Sequence, residues 1–299
     1  MKRFTAVALI ALAALFTSAS ARAAETAIEV PKIKMNHEAM EKVGFRLAFQ
    51  AWTFNKLTTF ETLDLMQQLG VRYLEIFPGQ TLSKDLPGAK TDHNMTDEQI
   101  AAFKAKLKSA GVTVVNYGVV GVGKDEKSAR PVFEFAKKLG LETIVSEPAT
   151  DPKVFEMLDK LCQEYGVNLA CHDHPKPSPY WDPATVLKLT EGRSKRIGAC
   201  ADTGHWYRSG LVPIDCLKQL KGKIISLHYK DLNKNKGDVP FGEGLGDAKG
   251  QLVELKAQGF KGVFSIEFER TSGQELVNNV AKCCENFSKM CEELAADAK

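Results

Sequence analysis

Residues 196–206 read RIGACADTGHW: a run of small and apolar residues ends in an aspartate, Asp202, followed three positions on by His205. Strand-like runs normally stop at turn residues such as Gly, Asn or Ser, so an acid and an imidazole at such an end need a reason. The pattern recurs on both sides. ETIVSEP (142–148) ends at Glu147, NLACHDHP (168–175) at His172 and His174, KIISLHYKD (223–231) at His228, and VFSIEFE (263–269) at Glu267. Four of the six histidines lie at these ends. Five successive strands carrying proton-transfer or metal-binding groups at the same end place those groups on one rim of a parallel barrel.

The rest of the chain supplies the other parts of such a barrel. A unit of helix, glycine and strand recurs at Gly44, Gly70, Gly111, Gly140 and Gly166, and less cleanly at Gly192, Gly222 and Gly259. Glycine is favoured just past a helix end because it accepts the left-handed conformation there. Helix starts are marked as well. Thr58 with Glu61 and Thr96 with Gln99 have capping-box spacing, and Asp151-Pro152 and Asp182-Pro183 place an N-cap acid before a first-turn proline. Ile100, Phe103 and Leu107, like Phe155, Leu158 and Leu161, repeat at helical spacing. Eight strand–helix units over about 250 residues predict a single-domain α/β protein, a (β/α)8 TIM barrel. A doubly wound open sheet is the alternative, against which eight complete units weigh.

Residues 1–23 have the features of a secretory signal peptide. Lys2 and Arg3 precede the apolar stretch Ala6–Phe16, and Ala21-Arg22-Ala23 gives a small-x-small cleavage site. The stretch is too short to span a bilayer. The expectation is a secreted or periplasmic protein cleaved near Ala23, with residues 24–44 as an extended arm and lead-in and residues 45–299 as the barrel with a C-terminal helix. Loss of Lys2, Arg3 and Arg22 removes the whole formal charge of +3. No basic field is left for nucleic acid or a membrane surface, so neither is expected as a partner. The seven cysteines are an odd number with no CxxC spacing, which gives a thiolate metal site no support. Most are read as buried small residues, with one disulfide possible.

Alternation along the strands puts Gly198, Cys200 and Asp202 on one face, Ser226 with His228, and Ser265 with Glu267. Small or polar neighbours on the ligand-bearing face suit a crowded interior. Glu147, Asp202, His228 and Glu267 are therefore the candidate metal ligands. Three carboxylates and an imidazole favour a divalent ion, Mn²⁺ first, with Mg²⁺, Co²⁺ or Zn²⁺ possible. An ion holding a carbonyl and a neighbouring hydroxyl acidifies the intervening C–H and stabilises an enediolate. A glutamate at its edge can move the proton. His174, nearer the rim than His172, is a candidate base or substrate contact, and His172 is read as a satisfied interior histidine. Glu75 is a site candidate, with a buried pair to Arg46 or Lys230 as the alternative. Lys230 is a candidate substrate contact, with a rim salt bridge to Asp231 as its alternative. Tyr180, Trp181 and Trp206 offer aromatic faces for a sugar, with core packing the alternative for each. The glycine-rich FGEGLGD (241–247) is read as a flexible flap, because no strand-to-helix turn of dinucleotide type surrounds it.

From Phe45 to Arg270 the chain resembles the xylose isomerase-like barrel superfamily, often labelled sugar phosphate isomerase/epimerase. The resemblance is carried by FQAWTF, LEIF with Glu75, SEP with Glu147, ADTGHW, LHYKD, FGEGLGD and SIEFE. It implies that Glu147 and Glu267 exchange the substrate proton from opposite faces, as in ketose 3-epimerases, and that His205 hydrogen-bonds a substrate oxygen. Two positions depart from that subgroup: a second glutamate is replaced by Lys153 and an arginine by Lys234. Lys153 reverses the charge, and Lys234 lacks the planar guanidinium fork. HDHPKPSPYW (172–181) instead resembles secreted members that eliminate the aglycone from 3-keto-glycosides by the same enolisation.

The expected function is a secreted, metal-dependent sugar isomerase or epimerase acting on a keto-sugar through an enediolate. A 3-keto-glycoside 1,2-lyase or hydratase is the first alternative. A non-catalytic periplasmic sugar-binding barrel is the second. The expected partner is a small carbohydrate, with a homo-oligomer possible. An abasic-site endonuclease of the same fold is opposed by the export signal, the neutral mature charge and too few histidines for three zinc ions.

Overall fold

The structure is a computed structural model and describes residues 28–296. The signal-peptide and cleavage-site expectations lie outside the described residues. Eight parallel strands close into a barrel in chain order: β1 Phe45–Gln50, β2 Tyr73–Ile76, β3 Thr113–Tyr117, β4 Thr143–Ser146, β5 Asn168–His172, β6 Ile197–Asp202, β7 Ile224–Tyr229 and β8 Gly262–Ile266. The register Phe45↔Gly262 to Phe49↔Ile266 between β1 and β8 closes the ring.

The punctuation anticipated in the chain acts as chemistry requires. Both capping boxes form, at the starts of helices Thr59–Leu69 and Asp97–Ala110. Asp151 and Asp182 cap helices that begin with proline. Each such cap contributes about 1 kcal/mol. Gly44, Gly70, Gly111, Gly140 and Gly166 are left-handed helix C-caps. Gly192, Gly222 and Gly259 also have positive φ but follow helices that end at Thr190, Gln219 and Ala257, which is why their units read less cleanly.

The main apolar core lies between barrel and helices. Outward strand residues such as Phe45, Phe49 and Phe264 meet helix residues such as Phe103, Phe155 and Phe287 in one cluster. Inside the barrel the fill is smaller: Ala48, Val115 and Val263 form one cluster, and Val145, Ala170 and Cys200 another. These small interior side chains leave room for a polar layer that includes Gln50, Glu75, Asn116, His228 and Ser265, all fully or nearly fully buried.

Three expectations change. The lead-in is not simply extended, because His37–Val43 forms a helix capped by Asn36. This helix is tied to the C-terminal helix Gly273–Ala296 by Asn36 N–H to Ser288 Oγ (2.7 Å) and Lys42 Nζ to the Ala295 carbonyl (2.9 Å). All seven cysteines are buried and unpaired, so none forms the disulfide considered possible. The FGEGLGD segment is not a loose flap. Buried Asp231 accepts backbone N–H bonds from Gly242, Gly244 and Gly246 at 2.9–3.0 Å. A Cβ on residue 244 would come within 2.2 Å of Asp231 Oδ1, so the glycine is needed for the backbone to close on the carboxylate. No helix among the described residues is long and apolar enough to cross a membrane.

Candidate metal centre and proton-transfer site

His172, Asp202, His228 and Glu267 each bring one donor atom to a common point above the strands, all within 4.8 Å of one another, and all four residues are buried. They come from the C-terminal ends of β5, β6, β7 and β8. Strand register explains the convergence: Asp202 pairs with His228, and His228 with Ser265, two residues before Glu267.

Each histidine is held by a carboxylate on its far ring nitrogen. His228 Nε2–H donates to Glu75 Oε1 (2.7 Å), and His172 Nδ1–H donates to Glu147 Oε1 (3.3 Å). A carboxylate can only accept, so the nitrogen facing it carries a proton and the other nitrogen is turned inward, the one that would hold an ion. Those inward atoms face carboxylates: His172 Nε2 lies 3.5 Å from Asp202 Oδ2, and His228 Nδ1 lies 3.2 Å from Glu267 Oε2. Two imidazole nitrogens facing the Asp202 and Glu267 carboxylates, with all four donor atoms within 4.8 Å of one another, are a donor set that fits a divalent cation.

Sequence reasoning had placed Glu147, Asp202, His228 and Glu267 together. The structure brings the last three into the cluster with His172, while Glu147 stands behind His172. His172, read from sequence as an interior histidine, is buried and lies between Glu147 and Asp202, with its Nε2 3.5 Å from Asp202 Oδ2. Sequence alternation gives a side chain's face but not its height on the rim.

Glu147 joins a second group. Its Oε1 also accepts from the His174 backbone N–H and from His174 Nδ1–H, both at 2.7 Å, and its Oε2 from Ser178 Oγ (3.1 Å). Burial alone would raise the Glu147 pKa, but the hydrogen bonds from His172 and His174 more than offset it and hold the group well below the carboxylate range. The same bond raises the pKa of His174, whose side chain is half exposed. His174 Nε2 therefore faces outward on a ring that Glu147 orients. Trp181 lies on the loop carrying Ser178, with the Lys176 ammonium 3.8 Å from its ring centroid. Tyr180 and Trp206 are buried in the core.

Glu75 is fully buried and accepts four hydrogen bonds: from Gln50 (3.0 Å), Asn116 (3.1 Å), His228 (2.7 Å) and Ser265 (2.7 Å). It pairs with neither Arg46, which bonds Glu142, nor Lys230. Lys230 is buried, with its ammonium 2.8 Å from Asp202 Oδ2, 2.6 Å from Glu267 Oε2 and 3.2 Å from Glu269 Oε2. Burial disfavours its charge, but Asp202, Glu267 and Glu269 outweigh this and raise its pKa. The sequence DTGH has its glycine for this reason: a Cβ on Gly204 would lie 2.8 Å from Lys230 side-chain atoms.

His205 backbone N–H donates to Asp202 Oδ1 (2.7 Å), and its Nε2 lies 3.6 Å from Asp202 Oδ2. Burial drives its pKa down to about 2, so the ring is neutral. Arg208, Asp173 and Glu269 were missed in the sequence. Arg208 follows His205 at the i,i+3 spacing that puts both on one helix face, a signal that was available. Asp173 Oδ1 accepts from Asp202 N–H (2.7 Å). Burial, and then the Asp202 charge, raises the Asp173 pKa well above normal. Lys153 and Lys234 are both exposed and make no part of this cluster.

Residues 63–287 match the Xylose isomerase-like TIM barrel family, and the chain belongs to it. The rhizopine catabolism protein MocC of Rhizobium meliloti is 25% identical over 213 residues, 64% of this chain and 63% of that protein. The chain therefore spans less than two thirds of this curated relative's length. A solved structure of an uncharacterised protein from Parabacteroides distasonis ATCC 8503 is 31% identical with a TM-score of 0.67, covering 82% of this chain and 99% of that one. A D-tagatose 3-epimerase-like protein superposes with a TM-score of 0.63 at 17% identity, covering 84% and 98%, a likeness of fold.

Proposed function

We propose that the protein is a divalent-metal-dependent enzyme that abstracts a proton α to the carbonyl of a keto-sugar and acts as an isomerase or epimerase through an enediolate. The observation that carries this reading is the pair of carboxylate-held histidines with their inward nitrogens facing Asp202 and Glu267. His172, Asp202, His228 and Glu267 would hold the ion. Two imidazoles and two carboxylates suit Mn²⁺, Co²⁺ or Zn²⁺ better than Mg²⁺, which prefers oxygen. Glu147 is a ligand in the set read from sequence; it is hydrogen-bonded to His172 and His174, and these three form a second group that could hold an ion.

When bound, the ion supplies positive charge beside two adjacent substrate oxygens and acidifies the C–H between them. The chain's own groups divide the remaining work. His174 Nε2, on the ring oriented by Glu147, is placed to take or return the proton at the open side. Glu267 is the second proton-transfer candidate, on the β8 side. Lys230 and His205 supply donors to substrate oxygens, and Trp181 an aromatic face at the rim.

The second reading, elimination from a 3-keto-glycoside, is favoured by one observation. Lys153 and Lys234, which replace the glutamate and arginine of ketose 3-epimerases, both point to solvent, so that subgroup's substrate contacts are not rebuilt here. The sugar-binding relative without turnover is the third. Export to the periplasm or medium belongs to the same proposal and is checked by N-terminal sequencing of the processed protein, with Ala24 expected first.

Incubation of metal-loaded protein in D₂O with keto-sugars and chromogenic 3-keto-glycosides separates the readings. Metal-dependent deuterium incorporation without release of an aglycone supports the isomerase; release of the aglycone supports the lyase. Neither event on any substrate, with and without Mn²⁺, contradicts both.

A further inference from the structure

We propose that Arg208 is a positioning residue that locks His205 in the tautomer carrying its proton on Nε2, so that His205 serves the substrate only as a hydrogen-bond donor and never as a base. This rests on the reading of the site given above, but its geometry stands on its own.

Arg208 Nη1 lies 3.1 Å from His205 Nδ1. A guanidinium has five donors and no acceptor, so His205 Nδ1 must accept and the ring's one proton is on Nε2. The guanidinium cannot swing away easily. It is only 8% exposed and is held by Asp238 Oδ1 (3.0 Å), on the short ribbon after β7, and by Glu269 beyond β8. Asp238 in turn accepts the Glu269 backbone N–H (3.1 Å). One side chain thus clamps the segments following β6, β7 and β8 around the imidazole.

His205 Nε2 is free to act outward. It is 3.6 Å from Asp202 Oδ2, beyond hydrogen-bond reach, and one of the ring's nitrogens lies within 4.8 Å of carboxylate oxygens of Glu267 and Glu269. A neutral imidazole with its N–H facing the reacting centre can stabilise charge developing on a substrate oxygen. It has no lone pair on that side with which to remove a proton. Proton abstraction therefore falls to the other side chains of the site, and the substrate oxygen facing His205 is an acceptor, as a carbonyl or enediolate oxygen is.

The test is ¹⁵N NMR of histidine-labelled protein near neutral pH, with His205 assigned by its disappearance in His205→Gln. The proposal expects a pyridine-type Nδ1 and a pyrrole-type Nε2 in the unmodified protein. Arg208→Met should release the tautomer, giving mixed or reversed signals, and lower kcat by about 10²-fold with KM moved much less. Arg208→Lys, which keeps a donor, should restore the Nε2–H signal and part of kcat. An Nδ1–H tautomer in the unmodified protein overturns the proposal, as does an Arg208→Met protein with unchanged tautomer or unchanged kcat. The tautomer of the unmodified protein decides the matter even if Arg208→Met fails to fold. It also does so if no turnover is found, a result that counts against the proposed function instead.

Discussion

Glu75 and Glu147 do the same local job in two different settings. Each accepts an N–H from a histidine whose other nitrogen faces the cluster. Glu75 is fully buried inside the barrel, and all four of its hydrogen bonds come from side chains on β1, β2's neighbour β3, β7 and β8. Glu147 sits on the rim with a side chain one-fifth exposed, and three of its four bonds come from the loop-borne His174 and Ser178. The first pair belongs to the scaffold. The second is open to substrate, and its partner His174 can change protonation without unfolding anything.

The contrast predicts different costs for the same mutation. Glu75→Ala leaves the buried His228 N–H, the Ser265 hydroxyl and the Asn116 amide without an acceptor, while Gln50 keeps its bond to the Gly118 carbonyl. Each buried donor left unpaired costs about 1–3 kcal/mol, and metal affinity should fall by about 10–100-fold as His228 loses its orientation. Thermal melts with and without Mn²⁺ measure both. Glu147→Ala, which leaves one buried donor, the His172 N–H, without its acceptor, should cost about 1–3 kcal/mol while lowering turnover by about 10²-fold, read from deuterium exchange. Equal stability losses in the two variants would break the comparison. Ser178→Ala is the mildest probe: loss of one hydrogen bond to Glu147 Oε2 should cost about 1 kcal/mol and less than tenfold in rate. A loss as large as that of Glu147→Ala would mean that Ser178 contacts the substrate itself.

Much of the barrel was legible because its signals are local. A capping box, a proline after an N-cap acid and a glycine after a helix each act within a few residues, and they appear at Thr58, Thr96, Asp151, Asp182 and the five clean glycines. The ends of β6, β7 and β8 were legible for the same reason, since Asp202, His228 and Glu267 close their own strand runs. What was not legible depends on how neighbouring strands are staggered. Register shifts occur at Leu74/Glu75 against β3 and at Ala199/Cys200 against β7, and these set the heights of Glu75 and Asp202 relative to those neighbours. A period of two tells which side a residue faces; it does not tell that His172 reaches the cluster while Glu147 supports it from behind. Asp231 escaped as well, because its partners are backbone N–H groups up to 15 residues away and no side-chain pattern announces them.

The proposed function needs one ion held among His172, Asp202, His228 and Glu267, with Glu147 behind His172. Anomalous diffraction from crystals grown with Mn²⁺ tests this directly. The account predicts a single strong peak bonded to those four side chains, with Glu147 still hydrogen-bonded to His172. A peak bonded to Glu147 in place of His172, or no peak at the barrel rim, would contradict it.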